Sequence, residues 1–144
     1  MVNIYIKDTQ LKPFYDDDYQ ECFVCGMENQ IGLKLKFNYD RDKNEAYTKY
    51  RFQEYMQGYK KIIHGGFLFM LLDEVMAKAC LFNDMQALTA KIEIKFKKPV
   101  YADEEIEVRA KIREIRGKKI KLSSSCIDEN GDARASAEGL FILV

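Results

Sequence analysis

Hydrophobic and polar side chains alternate along most of this chain, and the stretch where they stop alternating is as informative as the rest. In GLKLKFNYD, Leu33, Leu35 and Phe37 fall on one side while Lys34 and Lys36 fall on the other. A period of two belongs to a strand with one buried face, so a strand is expected here. Residues 40–44 then read as a polar turn, and EAYTKYRF, 45–52, as the returning strand. Further on, TAKIEIKF sets Ile92, Ile94 and Phe96 against Lys91, Glu93 and Lys95. EEIEVRAKIREI sets Ile106, Val108, Ala110 and Ile112 against charged neighbours. Pro99 and Asp103-Glu104 mark the connection between these two strands. Gly117 suits a hairpin and Asn130-Gly131 suits one better; strands at 119–127 and 133–144 follow them.

One segment has no alternation. FLFMLLDEVMAKACLF, 67–82, lacks Gly and Pro and is rich in Leu, Met and Ala, which favour helix. Thirteen of its sixteen residues are apolar, and a helix apolar almost all round is a buried one. The expected class is α+β: strand, strand, buried helix, then four strands. A long antiparallel sheet wrapped around one central helix is the simplest arrangement that buries it.

The helix carries three charges, Asp73, Glu74 and Lys78. Glu74 and Lys78 stand i, i+4 in the order that favours an ion pair, and read as an exposed stripe. Asp73 has only Phe69, Met70, Met76 and Ala77 at the neighbouring helical positions. An unpaired buried carboxylate costs several kcal/mol, so Asp73 either bonds a nearby loop or serves a site that uses its charge. Directly before the helix stands His64-Gly65-Gly66. Glycines there let another group approach the backbone, and the free N–H groups at a helix N-terminus suit a developing oxyanion. A plain turn with a capping histidine would look the same. If both features act, carbonyl chemistry is implied. Gly65 and Asp73 are then separated by about 12 Å of helix, whereas donor and base must both lie about 3 Å from the reacting groups. A site shared across a dimer interface resolves that conflict.

Composition narrows the alternatives. The chain's 144 residues suit one domain, with 1–20 as an irregular lead containing Asp16-Asp17-Asp18 and 21–144 as the domain. Twenty-three basic and twenty-three acidic residues cancel, which argues against nucleic acid and a polybasic membrane binder. No apolar stretch resembles a secretory signal or a membrane span. A cytoplasmic protein with reduced thiols is expected. One histidine and a lone Cys22-x-x-Cys25 leave little for a metal; no metal is expected, and Cys22 and Cys25 read as semi-buried thiols of a small turn.

The run GYKKIIHGGFLFMLLDEVMAKA resembles the His-Gly-Gly helix of hotdog-fold thioesterases of the phenylacetic-acid-degradation (PaaI) and 4-hydroxybenzoyl-CoA thioesterase type. ALTAKIEIKFKKPVYADEEIEVRAKI resembles the strand pair that follows in that family, and CFVCGMENQIGLKLKF an N-terminal element of many members. The resemblance implies a hotdog fold, a homodimer or dimer of dimers, and an acyl-CoA lying along the subunit interface. It makes Asp73 the general base or nucleophile and Gly65 the donor to the thioester carbonyl. It also aligns His64 with the histidine before that glycine, and Thr89 with a residue that places water or the carboxylate.

The sequence departs from the pattern at Gly58, which cannot supply a side-chain amide as a second donor. Lys60 and Lys61, or the basic turn with Arg116 and Lys118, are candidates to meet the coenzyme A phosphates. Gly66, Phe67 and Met70, with Met76, are candidates to line the acyl pocket. The expected reaction is hydrolysis of an acyl-CoA to free acid and coenzyme A, without a cofactor. A non-catalytic acyl-CoA-binding hotdog protein is the alternative from another class. A hydratase is disfavoured because the single histidine sits in the glycine turn.

Overall fold

The computed structural model describes residues 19–144. Most of the expected lead, including Asp16-Asp17-Asp18, lies outside them. The elements run β1 (Asn38–Asp40), β2 (Glu45–Arg51), a 3₁₀ turn (Glu54–Met56), α1 (Gly65–Phe82), β3 (Ala87–Phe96), β4 (Glu105–Arg116), β5 (Lys119–Asp128) and β6 (Ala133–Leu143). The strands form one antiparallel six-stranded sheet in the order β1-β2-β4-β5-β6-β3. The helix lies against one face of it, touching β2 through β6.

The expected element order holds, with two local corrections. The strand read from Leu33 shrinks to Asn38–Asp40. Lys34 adopts a left-handed backbone, φ 51°, and the Leu33 and Leu35 N–H groups bond instead to the Phe23 and Val24 carbonyls. Apolar alternation there reflects packing on an irregular N-terminal segment. The helix starts at Gly65, two residues before the apolar run. His64 caps it: its Nδ1 accepts the Gly66 N–H at 2.9 Å, satisfying one of the free donors of the first turn.

The core is the helix face that meets the sheet. Leu71, Leu72, Val75, Met76 and Cys80 are fully buried beside Val108, Ile120 and Phe141. At Gly139 in β6 the approach is close. A Cβ there would stand 2.9 Å from Met76 Sδ, so the glycine lets the helix settle onto the strand. No helix among the described residues is long and apolar enough to cross a membrane.

Glu74 and Lys78 do not form the exposed stripe expected. Their ion pair, 3.6 Å between Lys78 Nζ and Glu74 Oε1, is largely buried, because the 19–26 turn covers that side of the helix. The same turn holds Cys22 half-buried and Cys25 buried.

If the α1–sheet contact dominates stability, truncating it should show clearly. Leu72→Ala is expected to lower unfolding free energy by about 2–5 kcal/mol in urea titrations. Ile115→Ala, at an exposed position, should change it by less than about 0.5 kcal/mol.

Candidate active site

Helix α1 presents two chemical features, one near each end of its first half. At the N-terminus, Gly65 lines a cleft of about 610 Å³ together with Gly58, Tyr59, His64, Phe96 and Lys98. Gly66 N–H is used by His64 and Phe67 N–H by the His64 carbonyl. The Gly65 N–H has no partner among the described residues. The Phe96 ring lies over Gly65, where a Cβ would meet it at 3.1 Å. The first residue of the helix therefore lines a cleft beside an aromatic ring.

Two turns on, Asp73 is half-buried between helix and sheet. Thr89 Oγ1 donates to its Oδ1 at 2.6 Å, a short bond of the charge-assisted kind. Burial holds the Asp73 carboxyl above its ordinary range; the Thr89 bond pulls it down and the neighbouring Glu74 charge pushes it up. No basic side chain pairs with Asp73 among the described residues. The result is a carboxylate made more basic by desolvation and steered by a single hydroxyl, a suitable state for a general base.

Thr89 reaches Asp73 because of a bulge. Thr89 pairs with Phe141 and Lys91 with Leu140, leaving Ala90 as an extra residue in β3. Strict alternation would put Thr89 on the polar face with Lys91 and Glu93. The bulge switches the face, so the exposed Thr89 points to the helix side, where Ala87, Ile92 and Ile94 pack against the core.

The other candidates are spread around the molecule. Gly65 and His64 lie in the cleft, but Asp73 and Thr89 do not line it. His64 acts on the helix as a cap. Phe67 stands edge-on to the His64 ring at 6.4 Å; Gly66 is exposed and Met70 half-buried. Met76 is wholly inside the core, against Gly139, and so does not line an open acyl pocket within one chain. Lys60 and Lys61 are exposed on the approach to the helix and are absent from the cleft wall. The Lys61 N–H is bonded to Gln57 Oε1. Arg116 stands on the β4–β5 hairpin, paired with Glu114 at 2.7 Å, and Lys118 is on the same exposed tip.

Sequence reasoning missed Phe96, Lys97 and Lys98, which line the cleft beside Gly65. The available signal was the end of an alternating strand running into two lysines and Pro99. Such a segment turns at the rim of the sheet.

Comparison with known proteins bears on the family and the fold. A sequence model described as the thioesterase superfamily matches residues 60–134, the span from the cleft loop through β6's first residues. The chain is 25% identical over 123 residues to the acyl-coenzyme A thioesterase THEM4 of Rattus norvegicus, covering 83% of this chain and 52% of that protein. It thus spans about half the length of the curated relatives it matches. A solved thioesterase superfamily protein superimposes with a TM-score of 0.80 at 24% identity, covering 85% of this chain and 60% of that one. The E. coli PaaI protein of the phenylacetic acid degradation operon gives 0.69 at 20% identity, covering 75% and 82%. These likenesses show the hotdog fold.

The Asp73 environment has a measurable signature. A carboxyl with a raised folded-state pKa stabilises the fold while protonated, below about pH 4. That contribution is lost as pH rises through the raised value, where the ionised group works against folding. Asp73→Asn should therefore unfold at higher urea concentration than the wild type at pH 8, with the gap closing toward pH 4. Thr89→Val removes the bond that favours the charged form, so carboxyl-resolved NMR titration should find the Asp73 pKa higher still.

Proposed function

The chain belongs to the thioesterase superfamily, and on that premise we propose that it hydrolyses an acyl-CoA thioester to a free acid and coenzyme A. The observation that carries this reading is the desolvated Asp73 carboxylate, held only by Thr89 among the described residues, on the helix whose first residue lines the cleft. In this mechanism the thioester carbonyl accepts a hydrogen bond from the Gly65 N–H, where the positive end of the helix dipole stabilises the growing negative charge. Asp73 takes a proton from water or attacks the carbonyl itself, and Thr89 fixes which oxygen faces the substrate. The thiolate of coenzyme A leaves. Lys97 and Lys98, at the cleft wall, are placed to meet its phosphates.

Eight residues of helix keep Gly65 and Asp73 of one chain about 12 Å apart, so each site takes Gly65 from one copy and Asp73 from another. Strand β3 supports that assembly. It is an edge of the sheet, ten residues long, with Leu88 and Phe96 exposed. A long edge strand with free backbone donors and acceptors invites pairing with another strand. Thr89 at one end of β3 touches Asp73 and Phe96 at the other covers Gly65. Antiparallel pairing of β3 with its own copy brings the Thr89 end of one strand alongside the Phe96 end of the other. The acid of one helix then faces the donor of its partner, twice per dimer, as an isologous interface requires.

Turnover against acyl-CoAs of varied chain length and aromaticity tests the reaction and identifies the acyl group; binding without turnover across the panel would favour the non-catalytic alternative. Asp73→Asn is expected to lower kcat by about 10²–10⁴ while leaving the oligomer intact. Near-normal turnover would remove Asp73 from the mechanism.

The shared site has its own test. Proline fits the first position of a helix and has no N–H, and His64 already has the extended ψ of 130° that proline demands of its predecessor. Gly65→Pro should therefore abolish the donor and keep the helix, with the Phe96 ring shifting to admit the added Cβ. Refolding mixed Gly65→Pro and Asp73→Asn subunits is expected to restore activity above either variant alone. No restoration would place both groups in one subunit's site.

A further inference from the structure

The side of α1 away from the cleft carries a cluster that the proposed hydrolysis does not use. The 19–26 turn is tightly closed: the Gly26 N–H bonds to the Cys22 carbonyl at 2.8 Å and the Cys22 N–H to the Tyr19 carbonyl at 3.1 Å. Only glycine fits position 26, because a Cβ would lie 2.3 Å from the Gln20 carbonyl oxygen and 2.4 Å from the Cys22 nitrogen. This closure brings the two thiols together. Cys22 Sγ, Cys25 Sγ and a Glu74 carboxylate oxygen all lie within 4.8 Å of one another. Lys78 Nζ stands 3.2 Å from Cys25 Sγ and 3.6 Å from Glu74 Oε1. The rings of Tyr19 and Phe37 flank that ammonium at 4.9 and 5.9 Å.

Two sulfurs and a carboxylate could suit a soft divalent metal. Here the cation beside them is the chain's own ammonium, and Lys78 is only 7% exposed. A metal would have to expel it from its aromatic neighbours. Lys78 adds a favourable charge beside the thiols, offset by its pairing with Glu74, whose Oε1 stands 3.9 Å from Cys22 Sγ.

The two thiols are unlike. Cys22 is partly buried and keeps some contact with solvent, whereas Cys25 is buried. The Cys25 side chain donates toward its sulfur, the Cys25 and Val24 N–H groups add to this, and Lys78 lies nearby; together they hold the Cys22 thiol well below its ordinary range against the opposing effect of burial. Cys25 is buried and is pushed the other way by that same bond and by desolvation. One sulfur is thus the more accessible nucleophile and the other a protonated neighbour three positions along the chain.

We propose that Cys22 and Cys25 form a reversible thiol-oxidation site, with Cys22 as the attacking sulfur, Cys25 as the resolving sulfur and a hydroperoxide as the oxidant. The Cys22 thiolate attacks the terminal peroxide oxygen and the O–O bond breaks. The alkoxide leaves, takes a proton from solvent and departs as an alcohol, or as water when the oxidant is hydrogen peroxide. Cys22 is left as a sulfenic acid. The Cys25 sulfur then displaces the hydroxyl, its proton going to that leaving group, so that an S–S bond forms and water departs. Two thiols give up two electrons in total, and the hydroperoxide is reduced. A dithiol reverses the change by exchange. The product leaves no charge stranded: a neutral disulfide sits beside the balanced Glu74–Lys78 pair.

Cys80 and Cys126 are internal controls, since both are fully buried and desolvation pushes their thiols up to about 12. Reduced full-length protein treated with hydrogen peroxide, alkylated and mapped by mass spectrometry should lose two hydrogens in the peptide holding Cys22 and Cys25, and dithiothreitol should restore them. Cys25→Ser should stop at a Cys22 sulfenic acid that dimedone traps; Cys22→Ser should give neither product. Cys22 alkylation in the wild type should run on the order of tenfold faster at pH 7 than that of an unperturbed thiol, and Lys78→Met should slow it. The alkylation pH profile of the wild type provides the same information if Lys78→Met does not fold. Cys22 reacting no faster than glutathione, peroxide treatment without a disulfide, or one equivalent of zinc retained by the purified protein would each overturn the proposal.

Discussion

Everything in this protein answers to one constraint: an eighteen-residue helix that is apolar around most of its circumference must be kept from water. A single flat sheet covers only one side of such a helix. The curved six-stranded sheet covers the side carrying Leu72, Val75 and Met76, and the N-terminal segment with Val24, Cys25 and Phe37 adds to the same core. The low dielectric this creates is then imposed on every ionisable group the helix carries. Asp73 and Glu74 are adjacent in sequence, and both carboxyls are raised by burial. Their surroundings differ. Glu74 faces Lys78, which offsets its desolvation, and so resembles a structural ion pair. Asp73 faces a hydroxyl only. A fold selected for stability alone has no reason to leave the second carboxylate without a cation, and that contrast separates the acid of the proposed site from the acid beside it.

Much of this was legible in the sequence because the periodicities are strong. The strands from β2 onward follow from alternation and hairpin turns, and α1 follows from an apolar run too dense to be a strand. The failures have specific causes. The Leu33–Phe37 alternation satisfied the pattern of a strand, yet the backbone turned left-handed at Lys34 and paired with another segment. Alternation records which side is buried, not what the backbone bonds to. Glu74 and Lys78 were read as exposed because their spacing explained them as a pair. Nothing in local spacing announces that a distant turn, fifty residues earlier, closes over them.

The candidate site was legible in the positions of its acid and its glycine but not in what surrounds them. Asp73 stood out by having no helical partner. Thr89 could be assigned only through family resemblance, since a bulge at Ala90 moves it to the other face of β3. Phe96 lay in plain view as one more apolar strand residue; that its ring lies over Gly65 is a fact of chain reversal between β3 and the helix. His64 offers the reverse case. Read as a candidate for chemistry, it fixes the helix N-terminus by capping Gly66, and so contributes by aiming the neighbouring donor.

Strand β3 ties these pieces together. Along its inner face it steers Asp73 through Thr89 and roofs Gly65 with Phe96; along its outer edge it leaves a ladder of backbone donors and acceptors without a partner strand among the described residues. These two properties are linked. A rigid helix cannot bring its own first turn and third turn to one carbonyl, so a chain that uses both must borrow one from a neighbour. The strand that positions both groups is the one whose free edge can recruit that neighbour. With the contacts placed on β3, the proposed pairing would both remove an exposed edge and set the spacing between acid and donor. Backbone register, fixed by the bulge and by the alternation of Ile92 and Ile94 against the core, would then define the geometry of the proposed reaction more tightly than any flexible loop could.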